Sequence, residues 1–520
     1  MARYDRLLAS SVFEELYTGV RSTPYTRYDR HENRREQRLC VDCEVEDLVY
    51  RPRLSFFNIY AGLALPHSLP PLLSRCSSLS ILVCCYLSNS NMMPDIGGNI
   101  PHLLSHMMST GITFPPLSLV LMAMLVFYLA LVSALRRHTE RTLKRDFHYP
   151  DRASLAKMTL SDAWLIQHRV ATQEFPFCII ASLKAAVFQV VGIPVVSGLL
   201  VKTNKLGTDG IHKRYTDTTI MIAEFFLNPP TAKRTVEAIS RMNYIHSVYQ
   251  KAGKIKNDEM LYILSLFAIN PIKWVKTFEW RELNDMEKCA MATYWKSIGD
   301  DMKIDYSPLP SYSSGWTDGL HWLEEIWAWS EAYEERSIAR HETNAAVGQA
   351  ALQITVWKLP NALKPLARHA IASILDERLR ESLLIPEPPK AIQLAVKAAI
   401  ESRRFMLRYL CLPRTYYRRH KLISERQEKN GRYYLLEYDS LPYYIKPTVF
   451  NRWGPFALLQ RWLGLELPGD DGEKYGPDGY VLEDLGPAWM FGVKRDERNK
   501  QIKAMVEQMA SQRKLGCPFR

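Results

Sequence analysis

The sequence predicts an all-α protein in which one membrane-spanning helix precedes a large helical domain. Three observations predict it. Beyond residue 140, apolar positions recur at spacings of three and four; strand-like alternation is scarce; and Ile112–Leu135 runs for 24 residues without a charge. With 520 residues, 47% of them hydrophobic and 23% charged, the chain can bury a sizeable core, which excludes wholesale disorder or a low-complexity protein.

Residues 1–53 hold ten Arg, no Lys and ten acidic residues, so this stretch is net neutral, and without sustained apolar periodicity it reads as an extended arm. No apolar run follows Met1, so a cleavable secretory signal is not expected. Cys40 and Cys43 form a lone CxxC with no second pair at metal-ligand spacing, and read as ordinary reduced thiols. From Ser55 to Gly111 the chain is rich in Leu, Ser, Pro, Cys and Met; Pro66, Pro70 and Pro71 interrupt any helix, and Ile81–Leu87 is too short to span a bilayer. Residues 1–111 are therefore taken as an N-terminal extension.

The segment 112–135 is the spanning helix, long enough for a hydrocarbon core of about 30 Å at about 1.5 Å per residue. The flank RRHTERTLKR after it supplies five Lys/Arg and one Glu, whereas the nearest ionised group before it is Asp95. The positive-inside bias then puts the large C-terminal part in the cytosol, behind a single anchor. A second apolar stretch, Phe175–Val201, is broken by Lys184, Gly192 and Pro194, and reads as a pair of buried helices or a membrane-facing surface.

Thr231 is placed to cap a helix that carries Ile239, Met242, His246 and Tyr249 on one face. Asn257–Ile269, Asp285–Gly299, Trp322–Arg340 and Ile392–Leu410 read as further amphipathic helices, the second of them capped by Asn284. The main helical domain is taken as 136–460. Residues 461–520 form an irregular Gly-, Pro- and Asp-rich segment that closes in a basic helix around Arg495–Arg513. No Gly-rich loop follows a strand, which argues against Rossmann and P-loop cofactor sites.

Candidate chemistry centres on His246 and on Arg214, Asp217 and Thr218, which share one face of the preceding helix at i, i+3 and i+4. A lone His on an apolar face is most often a satisfied core residue. An Arg, a carboxylate and a hydroxyl converging inside an apolar bundle, however, are costly without partners or a polar ligand. A haem pocket with one proximal His and polar distal groups has this character; a solvated Arg214–Asp217 ion pair accounts for the spacing equally well.

The runs KLGTDGIHKRYTDT, RMNYIHSVY and NDEMLYILSLFAINPIKWVKTFEWRELNDMEKCAMATYWKSIGDDMKI, followed by the LCLPR turn, LPYYIKPTVFNRWGP and LPGDDGEKYGPDGYVLEDLGP, carry a resemblance. In order and spacing they resemble the family that groups the endoplasmic-reticulum-bound oxygenase of the mycophenolic acid pathway (mpaB type) with bacterial rubber oxygenase, the latex clearing protein. The match extends over about Ile112 to Asp496 and is stronger to the fungal branch. The resemblance implies an all-α, haem-binding domain with haem b as cofactor, its iron held by His246. It carries the distal Arg and Thr onto Arg214 and Thr218. Rubber oxygenase has a Lys just before its Thr where this chain has Asp217, and an upstream Glu base for which VVSGLLVKTNK offers no carboxylate. Asp217 is therefore the candidate base, weighed against a salt-bridge role.

The implied reaction uses O2 to cleave or oxygenate a double bond in a prenyl or terpenoid side chain, in fungal secondary metabolism. The implied setting is the endoplasmic reticulum membrane, with the catalytic domain on the cytosolic face. The rival reading is a membrane-anchored terpenoid-binding protein that keeps the fold without catalysis. Of the other residues, His212 points off the Arg214 face and ranks a distant second for iron, Arg281 pairs structurally, and Trp274, Trp280 and Trp295 belong to the core. The formal charge of +12 suits an anionic bilayer or nucleic acid. The basic clusters RRHTERTLKR and ESRRFMLRY read as a membrane-facing flank and a helix surface. Both lack the aromatic interleaving of a single-strand binder, so the expected partner is the lipid bilayer and no nucleic acid.

Overall fold

The computed structural model describes residues 117–203, 208–492, 494–513 and 516–519. The extension 1–111, with Cys40 and Cys43, and the first residues of the 112–135 run lie outside the described residues. The protein is all-α: among the described residues there are helices, turns and three isolated β-bridges, and no strand.

Helix α1 (Leu117–Asp146) is long and apolar enough to cross a membrane, and it continues without a break through the basic flank. Its apolar first half is exposed, Leu119 at 56% and Phe127 at 69%, as lipid-facing side chains are. Val132, Arg136 and Leu143 are buried. At spacings of four and seven they share one face, along which α1 meets the helical domain. Arg136 is thus turned inward, while Arg137, Arg141, Lys144 and Arg145 stay exposed.

The apolar stretch after Phe175 is indeed two helices, α3 (Pro176–Val191) and α4 (Pro194–Thr203), reached from α2 (Leu160–Arg169) through a π turn at Val170–Glu174. Next come α5 (Thr208–Leu227) and α6 (Lys233–Lys251), packed on each other. The predicted Thr231 cap is not there. Ala232 is the N-cap and has no side chain to offer; Thr231 falls in the preceding turn, and Thr235 Oγ1 instead donates to Pro229 O at 2.8 Å.

Helix α7 (Asn257–Phe278) runs nine residues past the predicted end at Ile269, straight through Pro271. A helix-interior proline costs about 3 kcal/mol in isolation. Here α7 is clamped between α3 and α8, and Asn270 donates to Gln189 Oε1 at 2.6 Å, so tertiary packing overrides the local preference. Helix α8 (Asp285–Asp301) is the central helix, buried from Met286 to Gly299 except at Lys288, with Trp295 stacked on both Phe226 and Phe267. Asn284 caps it as expected, accepting from Glu287 N while Glu287 Oε2 accepts from Asn284 N. Arg281 is sandwiched between Glu174 (2.5 Å) and Glu287 (2.7 Å).

Helix α9 is Gly319–Ser337, shifted from the predicted Trp322–Arg340 because buried Asp318 caps it, accepting from His321 N. Helices α10 (Glu342–Thr355), α11 (Lys364–Ala372) and α12 (Lys390–Phe405) follow, and α12 changes to a π turn at Met406–Leu410, where the prediction continued the helix. The closing helix α13 (Arg495–Gln512) packs on α6. The irregular segment before it packs into the main core through Tyr475, Tyr480 and Leu485, and Tyr480 exchanges backbone hydrogen bonds with Tyr433.

Candidate functional site

Helices α5 and α6 carry all four predicted site residues. Their pairing is fixed from outside by the segment Glu483–Gly486. On α6, Arg241 Nε donates to Leu485 O and Nη2 to Glu483 O, both at 2.6 Å. On α5, the Asp217 carboxylate accepts from Gly486 N at 3.1 Å. One tetrapeptide therefore binds both helices. Gly486 has φ +117°, a conformation that strains any other residue, and a Cβ there would crowd Met490 Sδ at 3.2 Å and Ile245 Cδ1 at 3.3 Å.

Asp217 is buried and has two further donors, Lys213 Nζ at 2.6 Å and Tyr444 OH at 3.1 Å. Burial raises its pKa, and the Lys213 charge works against that rise. Tyr444 holds its place at φ +61°, a conformation uncommon for a bulky side chain, and is fixed by backbone bonds to Tyr475 O and from Leu435 N. The carboxylate is thus held in a structural junction.

His246 lies five residues beyond Arg241 on α6. Its Nδ1 is buried and has no hydrogen-bond partner. Burial, reinforced by the nearby Arg214 charge, pushes the imidazole down to about 4, so the ring is neutral at physiological pH. Arg214 keeps an exposed surface, yet burial still lowers its pKa, with Tyr249 opposing the shift. The Arg214 Nη1 lies 3.4 Å from Thr203 Oγ1. Thr218, half-buried, follows one turn along α5.

The structure therefore brings Arg214 within electrostatic reach of His246, and directs Asp217 toward Lys213, Tyr444 and Gly486. His212 is buried edge-on against Trp357, with ring centroids 4.7 Å apart. Beyond Tyr215 lies a second polar cluster: Tyr215 OH donates to Asp439 Oδ2 at 2.7 Å, Lys184 Nζ donates to the same oxygen at 2.5 Å, and Lys358 Nζ donates to Tyr438 O at 2.6 Å. Burial pushes the Lys358 amine down to about 7, although Asp439 and Glu437 favour its charge. Sequence reasoning missed Lys213, Arg241, Tyr444 and Gly486. Only Gly486 left a signal, as the glycine of a Gly-Pro pair ending VLEDLGP.

Among the described residues no three His, Cys, Asp or Glu side chains gather as a metal site. What α5 and α6 do offer is the neutral imidazole of His246 beside a cation. Residues 168–406 match the family model of the ER-bound oxygenase mpaB/B'/rubber oxygenase catalytic domain. The ER-bound oxygenase mpaB' of Penicillium brevicompactum is 37% identical over 401 residues, covering 77% of this chain and 94% of its own length. The same fungus's ER-bound oxygenase mpaB is 37% identical over 363 residues, covering 70% of this chain and 86% of its own. The mpaB of Penicillium roqueforti is 38% identical over 265 residues, covering 51% and 89%.

The chain belongs to the mpaB oxygenase family. Its activity is accordingly that of an oxygenase, and α5 and α6 both lie inside the matched region. The ER-bound designation of the mpaB relatives fits the apolar helix α1 as a membrane anchor.

Proposed function

We propose that this mpaB-family chain is a b-type haem oxygenase that acts with O2 on a double bond in a prenyl or terpenoid side chain, within fungal secondary metabolism. In this reading α1 is its single span in the endoplasmic reticulum membrane and the helical domain faces the cytosol, as the basic end of α1 favours. The observation that carries the reading is His246, a neutral imidazole with an unpartnered buried Nδ1, placed beside Arg214. The donor set fits haem b, whose iron takes a single neutral imidazole and needs no further side-chain ligand. Haem bound at His246 supplies the iron at which dioxygen is activated.

The chain's own residues do the rest. Arg214 is cationic at every working pH and donates hydrogen bonds toward negative charge developing on oxygen. Thr218 adds a hydroxyl from the same helix face. Loss of one such donor typically costs about 10²–10³-fold in rate. Asp217 already accepts from three donors, which supports a positioning role over that of proton acceptor. A prenylated substrate partitions into the bilayer, so an anchored domain meets it at the membrane surface.

The test is the visible absorption spectrum of the detergent-purified full chain, wild type beside His246→Ala, expressed with haem precursor supplied. A Soret band that shifts on reduction in the wild type and is lost in the variant is expected. A haem-free wild type overturns the oxygenase mechanism proposed here and favours the anchored carrier.

A further inference from the structure

We propose that Phe405–Tyr417 is a second membrane contact, seated in the anionic headgroup layer beside the cytosolic end of α1; this rests on α1 spanning the bilayer. The segment is physically tied to that helix. Tyr128 OH donates to Leu410 O at 2.7 Å, and Arg136 Nε and Nη2 donate to Cys411 O at 3.0 and 2.7 Å. Tyr128 lies inside the uncharged run and Arg136 is the first charge after it, so the π turn Met406–Leu410 sits at the boundary between hydrocarbon and headgroups. At that depth, carbonyls freed where a helix ends have little water to bond, and α1 supplies donors to two of them.

The surface around those bonds has the composition of an interface. Phe405, Met406 and Leu412 are more than half exposed, and Tyr417 is 88% exposed. Exposed Arg408, Arg414 and Arg418 are interleaved with them. Between Glu401 and Glu425 the sequence holds seven Lys/Arg and no carboxylate. Of these, Arg403, Arg404, Arg419 and Lys421 pair with Glu279, Glu401 and Glu425, whereas Arg408, Arg414 and Arg418 stay exposed among the apolar side chains. Exposed aromatic and apolar side chains among exposed arginines match the layer in which amphipathic rings settle and basic residues meet anionic lipid. The occupant is the bilayer rather than a second copy, because the same α1 that fixes the segment also fixes its depth. Read from sequence alone, ESRRFMLRY is only a helix surface; its hydrogen bonds to α1 place it at the membrane.

The experiment uses the full chain in nanodiscs of phosphatidylcholine with phosphatidylserine. An environment-sensitive fluorophore is carried on an unnatural side chain at position 412 or 417, with reference labels at Val126 in α1 and Glu507 in α13. Labels at 412 and 417 are expected to lose most of their fluorescence to nitroxide lipids and to resist aqueous iodide, as the label at 126 does and the label at 507 does not. Behaviour like 507 while 126 is quenched by lipid overturns the proposal. Failure at 126 as well overturns the spanning assignment of α1 instead. Self-quenching between copies without lipid quenching assigns the face to a second chain and overturns the bilayer as occupant. Arg408→Gln with Arg414→Gln is expected to reduce lipid quenching in anionic discs and leave it unchanged in neutral ones. No dependence on lipid charge overturns the headgroup assignment.

Discussion

Replacing Asp217 by alanine separates its two roles. Alanine removes both carboxylate oxygens, so Gly486 N–H, Tyr444 OH and the Lys213 amine lose their shared acceptor at once. Leaving the Gly486 N–H without an acceptor costs about 1–3 kcal/mol. The Lys213 pair adds less, about 0–1 kcal/mol, because Lys213 is 37% exposed and its charge is screened. The total, about 1–4 kcal/mol, corresponds to a fall in thermal midpoint of several degrees for a domain of this size. It is read by differential scanning fluorimetry in detergent. Because the junction joins α5 to the segment that holds α6, the haem spectrum and haem retention are expected to change alongside stability, and turnover to fall only in proportion to haem lost. A variant with the wild-type midpoint, full haem content and abolished turnover would refute the reasoning and make Asp217 the proton acceptor.

Gly486→Ala forces a side chain into a left-handed φ of +117° and against Ile245, next to His246, so a midpoint loss of about 1–3 kcal/mol and weaker haem retention are expected; wild-type values for both would remove Gly486 from the junction. Arg281→Met strips the shared partner from buried Glu174 and Glu287, for an expected loss of about 3–5 kcal/mol in chemical denaturation, and a change under about 1 kcal/mol would show that the cluster is relaxed in solution. Lys358 gives a pH signature. Its folded pKa, about 7, lies below its ordinary value of 10.5, so the unfolded chain binds the extra proton between these values. Its contribution to stability is therefore present above pH 10.5 and lost as pH falls through 7. Lys358→Met is expected to flatten the rise in thermal midpoint between pH 7 and 9, and parallel wild-type and variant profiles would contradict the depressed pKa.

The helices were legible where their signals are local. Spacing located α6, α8, α9 and α12, and Asn284 caps its helix as its type and position predict. The errors lie where distant packing decides. Pro271 marks a helix end only if nothing holds the chain on both sides, and α3 and α8 do hold it. Thr231 is a good cap by type, yet the turn at Pro229 and Pro230 starts the helix one residue later. For the site, the i, i+3, i+4 pattern put Arg214, Asp217 and Thr218 on one face, but it is blind to partners 227 and 269 residues away, and those partners draw Asp217 into a junction.

Why a helical site needs an irregular C-terminal segment follows from the same contacts. Two helices joined by a short turn and packed through side chains can slide or rotate by a fraction of a turn at modest cost, since ridges and grooves repeat along each axis. That freedom would move His246 relative to Arg214 by ångströms, more than a preorganised site tolerates. Side-chain packing alone therefore does not set the register of α5 on α6. A backbone segment bonded to both helices does, because the positions of its amide and carbonyl groups are fixed relative to one another. Glu483–Gly486 is that segment, taking Arg241 from α6 and offering Gly486 N to α5. It is in turn anchored upstream by the paired backbones of Tyr433 and Tyr480 and by the ion pair of Glu224 with Arg234, to which Tyr480 OH donates at 2.6 Å. The glycines and prolines that make residues 461–490 look like a tail are what allow the chain to present successive backbone groups to two helices at once.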